Sequence, residues 1–166
     1  MDLRREALDS QGYIINQKKT DNLRFGWTPS DKNGCGWIAA YNFLKAMDKE
    51  KEPEEVLKKL EKALLPGLSR FGLNFIALGI YLRAQGIPLE FTVRQFHTQR
   101  IAEEAPAGII LYRAGKTNHF AAFRRLENGK LRFYGAVSGR ENHDMSMAEF
   151  FYDYVKFPLT LTITAK

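Results

Sequence analysis

Between Gly34 and Met47 the chain is apolar nearly all the way round a helix, and no other segment constrains the fold as strongly. Trp37, Ile38, Tyr41, Leu44 and Met47 fall on one stripe at helical spacing, and Ala39, Ala40 and Phe43 widen it. A helix of this kind has no broad face to offer water, so it belongs in the middle of the molecule. Asn33 stands where an N-cap would, which puts Gly34 and Cys35 in the first turn. Cys35, the only cysteine, therefore falls at the positive end of a buried helix. The macrodipole and the unpaired N–H groups there favour a thiolate.

The remaining elements are read outward from that helix. Residues 1–30 are polar and interrupted by Gly12, Gly26 and Pro29, which predicts a loosely ordered segment with a short extended stretch at Gly12–Gln17. Pro53 opens a second helix, Pro53–Leu64, with acids early and lysines late as the dipole prefers. A third helix spans about Gly72–Ala84 and ends at Gly86, after a stretch Pro66–Gly72 that reads equally as a cleft wall or a connector. Leu89–Arg94, Gly108–Arg113, Asn118–Arg125 and Lys130–Val137 read as strands, and Glu127-Asn128-Gly129 marks a hairpin between the last two. Ser146 with Glu149 forms a capping box for a short helix through Tyr154. Finally, Phe157, Leu159, Leu161 and Ile163 alternate with Pro158, Thr160, Thr162 and Thr164, the pattern of a half-buried strand. Helices first and strands later predict an α+β fold, N-terminal helices packed on a C-terminal antiparallel sheet, with residues 1–166 as a single domain.

Composition narrows the function classes. No run approaches the roughly 20 apolar residues of a membrane span, and Met1–Glu6 leads into no secretory signal. A lone cysteine cannot form an intramolecular disulfide, and a cytoplasmic, water-soluble protein is expected. The net charge of +6 is spread along the chain and interleaved with acids, as in Lys49-Glu50-Lys51-Glu52, so a solvated basic surface is the preferred reading. Basic and aromatic residues alternate through Phe120–Tyr134, yet Leu131 and Phe133 fall on the face opposite Lys130, Arg132 and Tyr134. That is a core-facing strand with a solvated back, and nucleic acid is disfavoured as a partner. One cysteine and three histidines without ligand spacing predict no metal site, and no glycine opens a phosphate-binding fingerprint, so no cofactor is expected.

The residues that can carry chemistry begin with Asn33-Gly34-Cys35-Gly36-Trp37. Glycines on both sides of the thiol leave room for a substrate to approach it. Against this stands the usual fate of a lone cysteine, a small buried core residue, and on these residues alone the two readings are level. His119, in Thr117-Asn118-His119-Phe120, opens a buried strand just after a loop. Such a histidine can reach a cleft and take the proton of a nearby thiol, or it can merely satisfy a backbone carbonyl. His97, in a surface loop, and His143, in the polar stretch Arg140–Asp144, are weaker candidates.

A cysteine on the first central helix, then a helix rich in Leu and Ile ending in Gly86, then a histidine opening a hairpin, resembles the order of papain-like peptidases. Within them, Gly72–Leu78 through Ala84-Gln85-Gly86-Ile87, and Asn118-His119-Phe120, resemble the bacteriocin-processing type that cleaves double-glycine leaders. The resemblance runs from about Asn33 to the C-terminus. It implies a thiol hydrolase acting on a peptide or amide substrate, with Cys35 as nucleophile, His119 as base and then acid, and the Cys35 backbone N–H in the oxyanion hole. Two positions depart from the family. Its oxyanion glutamine, six residues before the cysteine, is replaced by Pro29, with Asn33 or Ser30 as substitutes. Its orienting Asp or Asn, sixteen residues after the histidine, is replaced by Gly135. Asn142 and Asp144 lie further along and could serve if their loop folds back. The same scaffold also admits a degenerate binding module, or an acyltransferase in which an amine intercepts the thioester.

Overall fold

The computed structural model describes residues 3–62, 73–136, 143–157 and 159–166. Leu64, Pro66–Gly72, Val137, Asn142 and Pro158, which entered the expectations above, lie outside the described residues. The apolar helix forms and is central: a short helix α1 (Ser30–Asn33) leads through Gly34 into α2 (Cys35–Ala46), whose residues Gly36 to Leu44 are all buried. Around it stand α3 (Pro53–Glu61), with proline at its start and Val56, Leu57 and Leu60 turned inward, and α4 (Phe75–Ala84). Asn74 caps α4 by accepting a hydrogen bond from the Ile76 N–H at 2.8 Å. Among the described residues no helix is long and apolar enough to cross a membrane.

Among the described residues the main sheet has six strands. With β1 (Arg24–Phe25) and β2 (Thr28–Pro29) forming a separate small hairpin, its members are β3 (Leu89–Arg94), β4 (Ala107–Ala114), β5 (Thr117–Arg125), β6 (Leu131–Tyr134), β7 (His143–Met145) and β8 (Leu159–Ala165). Their order is β3-β8-β4-β5-β6-β7, and every neighbouring pair is antiparallel. The expected hairpin joins β5 to β6, with Gly129 at φ +79° in its turn. Two further helices complete the α+β architecture: α5 (Gln95–Glu104) and α6 (Met147–Tyr154), the latter with the expected Ser146–Glu149 capping box.

Apolar layers lie on both faces of the sheet. On one, α2 packs on β5 and β4, and Ile109, Phe120, Ala122 and Ile163 join the α2 side chains in one core. On the other, Ile110, Tyr112, Ala121, Phe123 and Phe133 meet Ala102 of α5 and Met147 and Phe150 of α6.

Four expectations change. His97 lies on a helix, not in a loop, because the buried face of α5 is made by Thr98 and Ala102, four apart and too small or polar to register as apolar periodicity. The strand β8 is buried on both sides over most of its length. Its neighbours β3 and β4 flank it, and Thr160, Thr162 and Thr164 are covered while Leu159 is exposed. The threonine face meets α5, where the Thr98 hydroxyl donates to Thr162 Oγ1 at 3.3 Å and shares a 2.9 Å bond with Thr92. The back of β6 is only partly solvated: Lys130 and Arg132 reach solvent, but Tyr134 is buried and stacks on Tyr13, ring centroids 4.0 Å apart and 12° from parallel. Tyr13 belongs to the N-terminal segment expected to be loose, which instead buries Ala7, Tyr13, Ile14, Leu23 and Phe25. It is held by Asn42 in the middle of α2, whose side chain accepts from the Ile14 N–H and donates to the Ile14 carbonyl, both at 2.9 Å.

Candidate active site

Cys35 is the first residue of α2 and is partly exposed. Its flanking glycines are required by packing rather than by access. A Cβ on Gly34 would stand 2.2 Å from Ser30 Oγ and 2.4 Å from the Ser30 carbonyl, and one on Gly36 would stand 2.6 Å from Leu73 Cβ. The turn into α2 thus passes so close to its neighbours that only glycine fits.

His119 faces the thiol from β5, close enough that each side chain shifts the ionisation of the other through hydrogen bonding and charge. The other side of the imidazole is also occupied. His119 Nε2 lies 2.7 Å from the Gly135 carbonyl oxygen, just beyond the end of β6. A carbonyl can only accept, so Nε2 carries the hydrogen and Nδ1 is left for the sulfur. Gly135 adopts φ +73°, a left-handed conformation that suits glycine. The imidazole also packs against Tyr112, its cross-strand partner, with ring centroids 5.7 Å apart and planes at 88°.

These contacts set the charges. Burial pushes the Cys35 thiol up, but the His119 hydrogen bond and charge, with the Phe120 and Gly36 backbone N–H groups, bring it below its ordinary value. Burial likewise works against the His119 imidazolium. Its hydrogen bond to Cys35, the thiolate charge and the Gly135 carbonyl outweigh that and raise it. The two shifts belong to one coupled pair, in which each group favours the charged form of the other.

The remaining site expectations fare differently. Ser30 is fully buried and its Oγ accepts from the Trp37 indole N–H at 2.8 Å, so it offers no hydroxyl to the cleft. Asn33 is not an N-cap: it ends α1, is buried, and donates through Nδ2 to the Phe25 carbonyl at 3.2 Å. The residue missed from sequence is Gln17. Its Nε2 donates to the Ser30 and Asp31 carbonyls at 3.2 and 3.1 Å, at the junction between α1 and α2. Asp31 is four residues before Cys35, so this is the carbonyl that an unbroken helix would pair with the Cys35 N–H. Nothing in its local sequence marks Gln17, which lies in the N-terminal segment. Asp144 sits on the outer strand β7 in a bidentate ion pair with Arg132, at 2.6 and 2.7 Å, and does not orient His119, whose Nε2 already has its acceptor. His97 packs against Phe96 on α5 and His143 lies near Tyr154, so neither joins the pair.

No protein-family model matches the chain, and no curated protein does. Solved structures do. A double glycine motif protease from an AMS/PCAT transporter, in complex with the leader peptide, superposes with a TM-score of 0.51 at 18% identity, covering 80% of this chain and 84% of that one. The peptidase domain of Streptococcus ComA, a bi-functional ABC transporter involved in a quorum sensing pathway, gives 0.54 at 12% identity, covering 80% and 91%. The chain therefore has the papain-like α+β fold of double-glycine peptidase domains, as the resemblance in its sequence implied.

Proposed function

We propose that this protein is a thiol hydrolase of peptide or amide bonds, with Cys35 as nucleophile and His119 as its proton carrier. The observation that supports it most is the imidazole held by the Gly135 carbonyl on one side, with its ionisation coupled to that of Cys35 at the start of α2. The Cys35 sulfur attacks the substrate carbonyl carbon, and the thiol proton passes to His119 Nδ1. His119 gives that proton to the leaving nitrogen as the C–N bond breaks, which leaves a thioester. Water then attacks the thioester, His119 takes its proton, and the thiol is restored as the acid leaves. A peptide substrate follows the solved neighbour that holds a leader peptide. The reading takes residues 1–166 as one catalytic unit, and a reducing cytoplasmic setting suits an unpaired thiol.

The developing oxyanion has the Cys35 backbone N–H available but no side-chain donor from Pro29, Ser30 or Asn33. Loss of one such donor costs about 10²–10³ in rate. A slow enzyme is expected, and this same observation favours a second reading, a papain-like module that binds peptides without turning them over.

Alkylation by iodoacetamide separates the readings. Near pH 6, Cys35 reacts much faster than a free thiol, and His119→Ala removes the difference. Slow labelling that ignores His119 sinks the catalytic reading. Fast labelling without turnover across peptide and ester libraries selects the binding module. Where turnover occurs its pH profile is a bell, because the ion pair requires a thiol above its lowered value and an imidazole below its raised one.

A further inference from the structure

We infer that Tyr112 is a positioning residue for His119, acting on both the imidazole and the peptide segment that supplies its acceptor; this rests on the reading of Cys35 and His119 as the reacting pair. Three contacts converge on this one side chain. Tyr112 faces His119 across the β4–β5 register, and its ring meets the imidazole at 5.7 Å and 88°. Phe150 of α6 packs against the same ring, centroids 5.0 Å apart at 79°. The hydroxyl donates to the Ala136 carbonyl at 3.1 Å, one peptide beyond the Gly135 oxygen that receives His119 Nε2–H.

That second tether acts just past the end of β6. Among the described residues, the pairing of β5 with β6 ends at Tyr134 and that of β6 with β7 runs only from Leu131 to Phe133, so no described strand partner holds Gly135 or Ala136. Gly135, in its left-handed conformation, is the most permissive residue that could hold such an oxygen. A tyrosine that is itself almost fully buried and wedged between rings supplies the rigidity that the glycine lacks. Burial also pushes the Tyr112 hydroxyl far above its ordinary pKa, so it stays protonated, and a donor, throughout the range in which the pair works. The imidazole is thereby held at its plane by the ring and at its Nε2 by a peptide that the same side chain anchors. A carboxylate orienting group would bring a full charge, whereas here the acceptor is a neutral carbonyl dipole.

Tyr112→Phe is the test, since it keeps the ring contacts and removes only the bond to Ala136. The expected result is a pH profile of Cys35 alkylation displaced toward that of a free thiol, with the rate at pH 6 lower by about tenfold. If turnover is measurable, kcat falls with KM unchanged. The control Tyr154→Phe, in the same aromatic layer, leaves the profile where it is. If Tyr112→Phe reacts with the wild-type rate and profile, the inference is overturned while the pair stands. If the wild type alkylates no faster than a free thiol, the reading of the pair falls and this inference falls with it. Should Tyr112→Phe not fold, 3-fluorotyrosine at position 112 keeps the hydroxyl and alters its donor strength. It must then displace the profile, and an unchanged profile overturns the inference.

Discussion

The two faces of the sheet are closed by different means. On the side of α2, apolar packing is joined to backbone groups of the N-terminal segment that side chains capture: Asn42 pairs with both polar atoms of the Ile14 backbone, and Tyr41 donates to the Gly12 carbonyl at 2.9 Å. Around α6 the other face is closed by rings, with Phe150 stacked on Phe133 at 4.1 Å and 4° and set edge-on to Tyr112. Cys35 comes from the first layer, while the ring that steadies His119 comes from the second. The candidate site lies on the seam between them, so a change in either layer can reach it.

The largest expected effect tests that coupling. Phe150→Ala removes a fully buried ring and should cost about 3–5 kcal/mol in urea unfolding. It should also disturb the alkylation profile of the molecules that remain folded, and an unaltered profile would break the link between the aromatic layer and the site. Next comes Asn42→Ala, which strands the Ile14 N–H and carbonyl in the core and should cost roughly 2–4 kcal/mol. Because Asn42 serves the other layer, Cys35 ionisation should be untouched, and a displaced profile would show that the two layers are less separate than described. A Cβ at Gly135 would meet no atom of the described residues closer than 3.9 Å, so Gly135→Ala should cost about 1–2 kcal/mol in urea unfolding, the cost of the left-handed backbone. The smallest effect is that of Asp144→Asn. Arg132 holds the Asp144 carboxyl below its ordinary value. Its contribution is therefore present above the unfolded value of about 3.9 and is lost as pH falls through the folded one. For so exposed a pair the difference from wild type should be under about 1 kcal/mol at pH 7, vanishing in acid. A larger loss would give β7 a weight that its edge position denies.

How much of this was legible depended on where the information sits. The helix α2 and the strand β3 could be read because large apolar residues and strand formers announce them, and β3 has the bounds expected of it. The helix α5 could not, since Thr98 and Ala102 hide its buried face. The N-terminal segment was misjudged because its buried residues follow no period and are held by bonds to a helix that comes later in the chain. In the site, Cys35 and His119 stood out by residue type and surroundings. Ser30 and Asn33 were proposed as donors because α1, which buries both, is too short to show in a periodicity. Counting sixteen residues from His119 reached Gly135, the right position, yet reasoning from side chains found nothing there. The acceptor is an oxygen that every residue possesses.

That oxygen belongs to the peptide group, and mutagenesis is nearly blind to it. An alanine scan would assign two members to this site and pass over the third, because no codon removes a carbonyl. Such an acceptor has no proton to lose, so acid cannot switch it off as it would a carboxylate, and under the proposed mechanism the thiol and the imidazole account for both limbs of the bell. A family survey that asks only which side chain stands after the histidine would class this protein as incomplete, although the hydrogen bond it looks for is already made.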